Sequence, residues 1–363
     1  MKKACVIAIT LLHLLFFFAL SVSAAEETEP IPVEPPDTVR EYLPLDFEAL
    51  APSELIDAFD FRFFSELGVR ILAQAAPDAA RTFALLLGLF LLSSLLGAVK
   101  DTLCVPALQT AMGLASSLCM AGAVFSATET VFSFAAEYIE ELSSFLRTVT
   151  PTVAAFAAAS GSISSASVIS GVILLALSLL EGVVSGVLFP LIRLSLCLSV
   201  VSCVFSVPGV SGIVPYLRKI VSYIFGFVTL CLSAVLMFQN MIAKSADSLA
   251  LRGIRFAIGS FVPFVGGAVN EALSTVVGGL GSIRTATGAV GAVVVCILAA
   301  VPVIRILLHK MLMEFLSFCA GLLGLTGEMR LASEIASFFG YAAALMAITA
   351  VFFTLALSMM ATV

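Results

Sequence analysis

The chain has 363 residues, of which 61% are hydrophobic and 12% charged, with a mean hydropathy of +1.15 and a formal net charge of −6. Soluble domains carry about 25% charged residues and need that polar surface to cover a core, so a water-soluble globular protein is excluded. Runs of about 18 or more residues with few charges recur, long enough to cross a hydrocarbon layer about 30 Å thick. The pattern predicts an all-α, polytopic transmembrane helical bundle.

Residues 1–25 read as a cleavable signal peptide. Lys2 and Lys3 form a basic start, Ala4 to Leu20 is apolar, and Val22-Ser23-Ala24-Ala25 offers small residues for cleavage after Ala24 or Ala25. An uncleaved signal anchor is the alternative, and either way the next segment begins outside the cytoplasm. That segment, residues 26–81, is an acidic extracytoplasmic arm with 13 acidic and four basic residues. Glu26 to Pro36 is rich in Pro and Glu and is expected to be disordered or extended. Within Ser53 to Leu72, Leu55, Phe59, Phe63 and Leu67 recur at about one helical turn, which predicts one docking helix on the arm.

Residues 82–363 read as the membrane domain, with 12 basic and 11 acidic residues from Thr82 onward. Thr82–Val99 and Cys104–Ala127 are predicted as a pair of spans joined by a polar turn at Lys100-Asp101. Thr128–Thr150 is amphipathic: Val131, Ala135, Tyr138, Ile139, Leu142, Leu146 and Val149 share one face, while Glu137, Glu140, Glu141, Ser144 and Arg147 share the other. This helix is expected to end at Pro151 and to lie on the outer interface or against a partner. Further spans are predicted at Ala166–Pro190, Leu194–Val214, Ile220–Ala243, Phe256–Ser282, Ala286–Ile304 and Ala336–Ala361, about eight in all. Met311–Leu325 is apolar but short, as an interfacial or buried helix would be. Alternation from an outside arm leaves Lys100, Arg193, Lys244, Arg252, Arg255, Arg305, Lys310 and Arg330 inside, against four basic residues outside. The bias agrees with the positive-inside rule, with Arg218-Lys219 as the exception.

The patterns of catalysis are missing. After the signal peptide the chain has one histidine, His309, and seven cysteines without C-x-x-C spacing, which speaks against a zinc site or a disulfide framework. There is no G-x-x-x-x-G-K-[ST] and no H-E-x-x-H, nor a nucleophile–base pair. No enzymatic activity, cofactor, metal or nucleic-acid partner is expected. Energy for any transport must come from a partner.

The candidate functional residues are ionisable groups and helix breaks inside apolar segments. Glu181 and Glu271 lie within predicted spans, where a carboxylate either lines a polar path or hydrogen-bonds a neighbouring helix. Gly182 and Gly186 follow Glu181 at G-x-x-x-G spacing, which permits close helix approach. Val207 to Val214 and Val262 to Val269 both read V-P-x-V-x-G-x-V. With Pro263, Gly266 and Gly267 in the second copy, they suit broken or re-entrant helices. Lys244, Asp247, Arg252 and Arg255 belong to a basic stretch read as an interfacial helix on the cytoplasmic side, for lipid headgroups or a cytoplasmic partner.

The stretch from Ser245 through Leu273, S-A-D-S-L-A-L-R-G-I-R-F-A-I-G-S-F-V-P-F-V-G-G-A-V-N-E-A-L, resembles the most recognisable segment of the stage III sporulation protein AE family. The layout of signal peptide, acidic arm and Gly-rich polytopic body is similar too. The resemblance implies a subunit of the channel-like complex between mother cell and forespore in endospore-forming bacteria, placed in the mother-cell membrane that engulfs the forespore. It implies as partners the other subunits of that complex, among them a cytoplasmic ATPase and ring-forming membrane proteins, with forespore membrane protein Q across the intermembrane space. It implies no catalytic residues. Two readings follow: a non-enzymatic membrane subunit of a sporulation channel or export assembly, or a stand-alone secondary transporter using Glu181 and Glu271 as proton or cation sites.

Overall fold

The computed structural model describes residues 35–43, 61–102, 106–159, 163–205, 212–235 and 266–362. The signal peptide, Leu55 and Phe59 of the arm helix, and the basic stretch from Lys244 to Arg255 lie outside the described residues. Apart from short turns, the described residues are helical. A short α1 (Asp37–Arg40) precedes α2 (Phe61–Thr102), α3 (Pro106–Ala159) and α4 (Ile163–Val183). A π-helical turn, Val184–Leu188, joins α4 to α5 (Phe189–Phe205). Then come α6 (Gly212–Val235), α7 (Gly266–Leu322) and α8 (Thr326–Thr362).

These helices are longer than the sequence divides them. At about 1.5 Å per residue, the 54 residues of α3 and the 57 of α7 extend roughly 80 to 85 Å. From Pro106 onward, the predicted span Cys104–Ala127 and the amphipathic Thr128–Thr150 form one helix. It runs through Pro151 to Ala159 rather than ending there. A proline removes one amide and strains one turn, and packing on both sides of it holds the helix together. Pro77 in α2 and Pro302 in α7 are accommodated likewise. The spans predicted at Ala166–Pro190 and Leu194–Val214 belong to one rod up to Phe205. Pro190 would clash with the carbonyl four residues back, Gly186, and that residue lies in the π turn, a common accommodation of such conflicts. Phe256–Ser282, Ala286–Ile304 and most of Met311–Leu325 merge in α7, as far as they are described. Among the described residues six helices, not eight, are long and apolar enough to cross a membrane.

The centre is the α7–α8 hairpin. Its turn follows a Schellman pattern: Leu325 N donates to Ala320 O at 3.0 Å, Gly324 N donates to Gly321 O at 3.2 Å, and Gly324 takes φ +72°. Against the hairpin lies the apolar face of α3. All seven residues assigned to that face from Val131 to Val149 are buried, joined by Phe132 and Phe145. Gly291 of α7 lets the three helices meet, since a Cβ there would stand 3.3 Å from Val149 Cγ1 and 3.4 Å from Leu357 Cδ1. Tyr138 Oη ties α3 to α8 through Thr349 Oγ1 at 3.1 Å and Met346 O at 3.3 Å.

Neighbouring contacts set the directions. Phe83 and Ser93 of α2 meet Phe315 and Glu328, so α2 runs with α7. Val149 lies by Gly291 and Phe134 by Arg305, so α3 runs against α7. Arg147 and Glu129 reach Glu181 and Arg193, so α4 and α5 run against α3.

Apolar exposure is heaviest in one half of this bundle, although Leu175, Leu179 and Val187 are exposed outside it. Beyond Arg81 on α2, before Glu129 on α3 and after Arg193 on α5, exposed large apolar residues crowd the surface, including Leu91, Leu95, Leu108, Leu118, Leu194 and Val201. In the most apolar stretches of α2, α3 and α6 only 11, 18 and 17% of residues are buried, against 61% in α7 and α8. The first group therefore offers a surface suited to lipid, and the second forms the protein core. From Pro106 to Thr128, α3 rises roughly 35 Å, which matches the hydrocarbon thickness.

If each of the six candidate helices crosses once, the alternation differs from that of eight spans. The hairpin puts the start of α7 at the end opposite the α7–α8 turn. Arg218 of α6 pairs with Glu334, so α6 starts near that turn. A single crossing by α6 then brings its last described residue, Val235, to the arm's side and moves Arg218-Lys219 to the opposite side. On that alternation, Asp37→Cys and Ser248→Cys, each in a background without native cysteines, should both react with an impermeant maleimide from the same face of the membrane. Reaction from opposite faces would restore the eight-crossing order.

Candidate functional site: a charged belt across the bundle

Where the lipid-facing surface ends, a belt of charge begins. Arg193 Nη2 donates to Glu129 Oε1 at 2.6 Å, and Arg147 Nη2 donates to Glu181 Oε2 at 2.8 Å, so two ion pairs clamp α3 to the α4–α5 rod. Lys310 pairs with Glu314 along α7. The stem of Lys310 lies over Gly340, where a Cβ would stand 3.2 Å from Lys310 Cε. Glu137 and Glu140 stand exposed on the outer face of α3. Charges at the centre of a lipid-exposed helix cost about 2.5–3.5 kcal/mol each, so this stretch of α3 sits in water or against protein.

The arm closes over the belt. Val39, Tyr42 and Leu43 are buried beside α1. Thr38 Oγ1 donates to Glu141 Oε2 at 2.8 Å. Tyr42 Oη donates to Gln74 Oε1 at 2.6 Å, Gln74 Nε2 donates to Glu41 Oε1 at 2.9 Å, and Arg70 stands over the Tyr42 ring. Beneath α1 is a pocket of about 120 Å³ lined by Thr38, Glu137, Tyr138, Glu141, Leu298, Pro302 and Arg305, among others. Pro302 cannot donate to the carbonyl of Leu298, which adds an acceptor to this polar lining. The Arg305 guanidinium lies 5.6 Å from the Phe134 ring centroid, and its buried Nε has no hydrogen-bond partner. His309 packs its ring against Phe134, with Nδ1 2.8 Å from Arg305 O. The pocket offers two carboxylates, a phenol and a guanidinium, a mixed set suited to polar contacts rather than to nucleophilic chemistry.

The residues singled out in the sequence are not brought together here. Glu181 is neutralised by Arg147 and its side chain is 29% exposed, so it acts as a link between helices. Among the described residues Gly182 and Gly186 make no close approach, since a Cβ at either would meet nothing within 4 Å. Gly266, Gly267 and Glu271 stand in the first two turns of α7. Lys244, Asp247, Arg252, Arg255 and Pro263 lie outside the described residues. Both V-P-x-V-x-G-x-V copies run into helix starts, with α6 beginning at Gly212 and α7 at Gly266. The arm contact went unread, although Val39, Tyr42 and Leu43 keep helical i, i+3, i+4 spacing inside an otherwise acidic stretch.

Six long apolar helices, a lipid-facing half and a charged belt beside it define a polytopic helical membrane protein. Residues 58–363 match the family described as Stage III sporulation protein AE, and the chain belongs to that family, which implies a role in sporulation. The chain is 30% identical over 176 residues to the stage III sporulation protein AE of Bacillus subtilis (strain 168), an alignment covering 48% of this chain and 44% of that protein. The matched stretch thus spans less than half the length of that curated relative. No solved structure matches the chain.

A partly exposed ion pair contributes about 0–1 kcal/mol. Glu181→Gln should therefore shift thermal unfolding in detergent by no more than a few degrees and leave spore formation intact. Abolished sporulation by a variant that still inserts and folds would give the Glu181 carboxylate a role beyond this link.

Proposed function

We propose that this chain is a non-enzymatic integral membrane subunit of the mother cell–forespore channel or export complex, seated in the mother-cell membrane that engulfs the forespore. The observation that carries the reading is the family match across 58–363, which takes in α2 to α8. The geometry supports it in one respect: the outer face of the belt on α3 suits water or protein, as a subunit of an assembly requires. Its partners are then the other subunits of that complex, including a cytoplasmic ATPase and ring-forming membrane proteins, with forespore membrane protein Q reached at most indirectly. Arg252 and Arg255 remain candidate contacts. The partner proposed for them is a cytoplasmic subunit, met through a basic interfacial stretch.

The stand-alone transporter gains no support from Glu181, since a proton site there would compete with the Arg147 guanidinium at 2.8 Å. The test is complementation with an affinity-tagged chain in an endospore former lacking its own family member. Restored sporulation with co-purification of the other complex subunits from mother-cell membranes is expected. Gradient-driven solute uptake by the purified chain alone in liposomes, without co-purifying subunits, would contradict the proposal.

A further inference from the structure

The polar tip of the α7–α8 hairpin ends inside the lipid-facing half rather than beyond it. Ser93 Oγ donates to Glu328 Oε1 at 3.0 Å, which sets the tip level with Ser93 on α2. From Ser93, α2 continues to Lys100, roughly 10 Å further along the axis at about 1.5 Å per residue. Over that distance its outer face stays apolar, with Leu95 66% and Val99 49% exposed. Glu328, Arg330 and Glu334 therefore lie at a depth where the surrounding surface is built for hydrocarbon.

Charges at that depth need partners or water. Glu334 has Arg218 of α6, whose guanidinium also lies 5.9 Å from the Phe338 ring centroid. Beside this pair is a cavity of about 320 Å³, lined on one side by Ser199 and Ser202 and on the other by Thr326, Arg330 and Glu334. A cavity of this size with that many hydroxyl and charged groups holds several waters. An apolar filling would leave the charged lining without solvation.

We propose that this cavity is an aqueous vestibule for water and small ions. It opens toward the membrane face where α2 ends, and its floor is the Arg218–Glu334 pair. The vestibule rests on the placement of the lipid-facing half alone and stands whether or not the chain joins a larger complex. It gives the bundle a hydrated recess reaching into the bilayer from the side opposite the arm.

The test uses the full chain in membrane vesicles, with Ser202→Cys, Thr326→Cys, Leu92→Cys and Lys100→Cys each in a background without native cysteines. The probe is the membrane-impermeant thiol reagent methanethiosulfonate ethylsulfonate. Ser202→Cys and Thr326→Cys should react at least tenfold faster than the outward-facing Leu92→Cys, and only from the face that reaches Lys100→Cys. A membrane-permeant maleimide labels all four after detergent solubilisation, which reports that each thiol is present and free. Slow reaction at positions 202 and 326, equal to that at Leu92→Cys, would overturn the vestibule. Reaction from the arm's face would overturn its direction.

Discussion

The seam between the apolar face of α3 and the α7–α8 hairpin carries the structure. Gly291 suits it, because a Cβ there would press on the side chains of Val149 and Leu357, and it is keyed by the buried Tyr138–Thr349 hydrogen bond. Burial of the α3 face from Val131 to Val149 on this hairpin turns the opposite face outward, with Glu137, Glu140 and Arg147 exposed on it. One packing decision thus sets both the core and the position of the charge. The long helix cannot slide along the hairpin without burying a carboxylate or exposing an aromatic ring.

The position of the charge limits the lipid. Hydrocarbon can cover α2 beyond Arg81 and α3 before Glu129, where leucines crowd the surface, but not the belt that follows. Further along, the apolar stretches of α7 and α8 are shielded by protein rather than by lipid. Helices of 54 and 57 residues then have a natural use. One part spans the bilayer, and the rest stands on the arm's side, where α1 binds it through Thr38 and Tyr42.

The class and the amphipathic face were legible in the sequence because periodicity is local. Val131, Tyr138, Leu142 and Val149 announce their face at helical spacing, and the structure buries each of them. Helix ends were not legible. Charges and prolines looked like boundaries, yet Pro151 and Arg193 sit within continuous rods, since the packing that carries a helix past a proline comes from elsewhere in the chain. Glu181 looked like an isolated carboxylate because its partner Arg147 lies 34 residues away. The Arg218–Glu334 pair joins residues more distant still, and no spacing rule connects them.

Depth profiling along the outer face of α3 tests the central claim that the lipid-facing surface ends at Glu129. Spin labels placed singly at Leu114, Leu118, Glu137 and Glu140 in liposomes report their collision rates with oxygen, which concentrates in hydrocarbon, and with a water-soluble nickel chelate. The account predicts oxygen-dominated relaxation at positions 114 and 118 and chelate-dominated relaxation at 137 and 140. Equal hydrocarbon character at all four positions would contradict it.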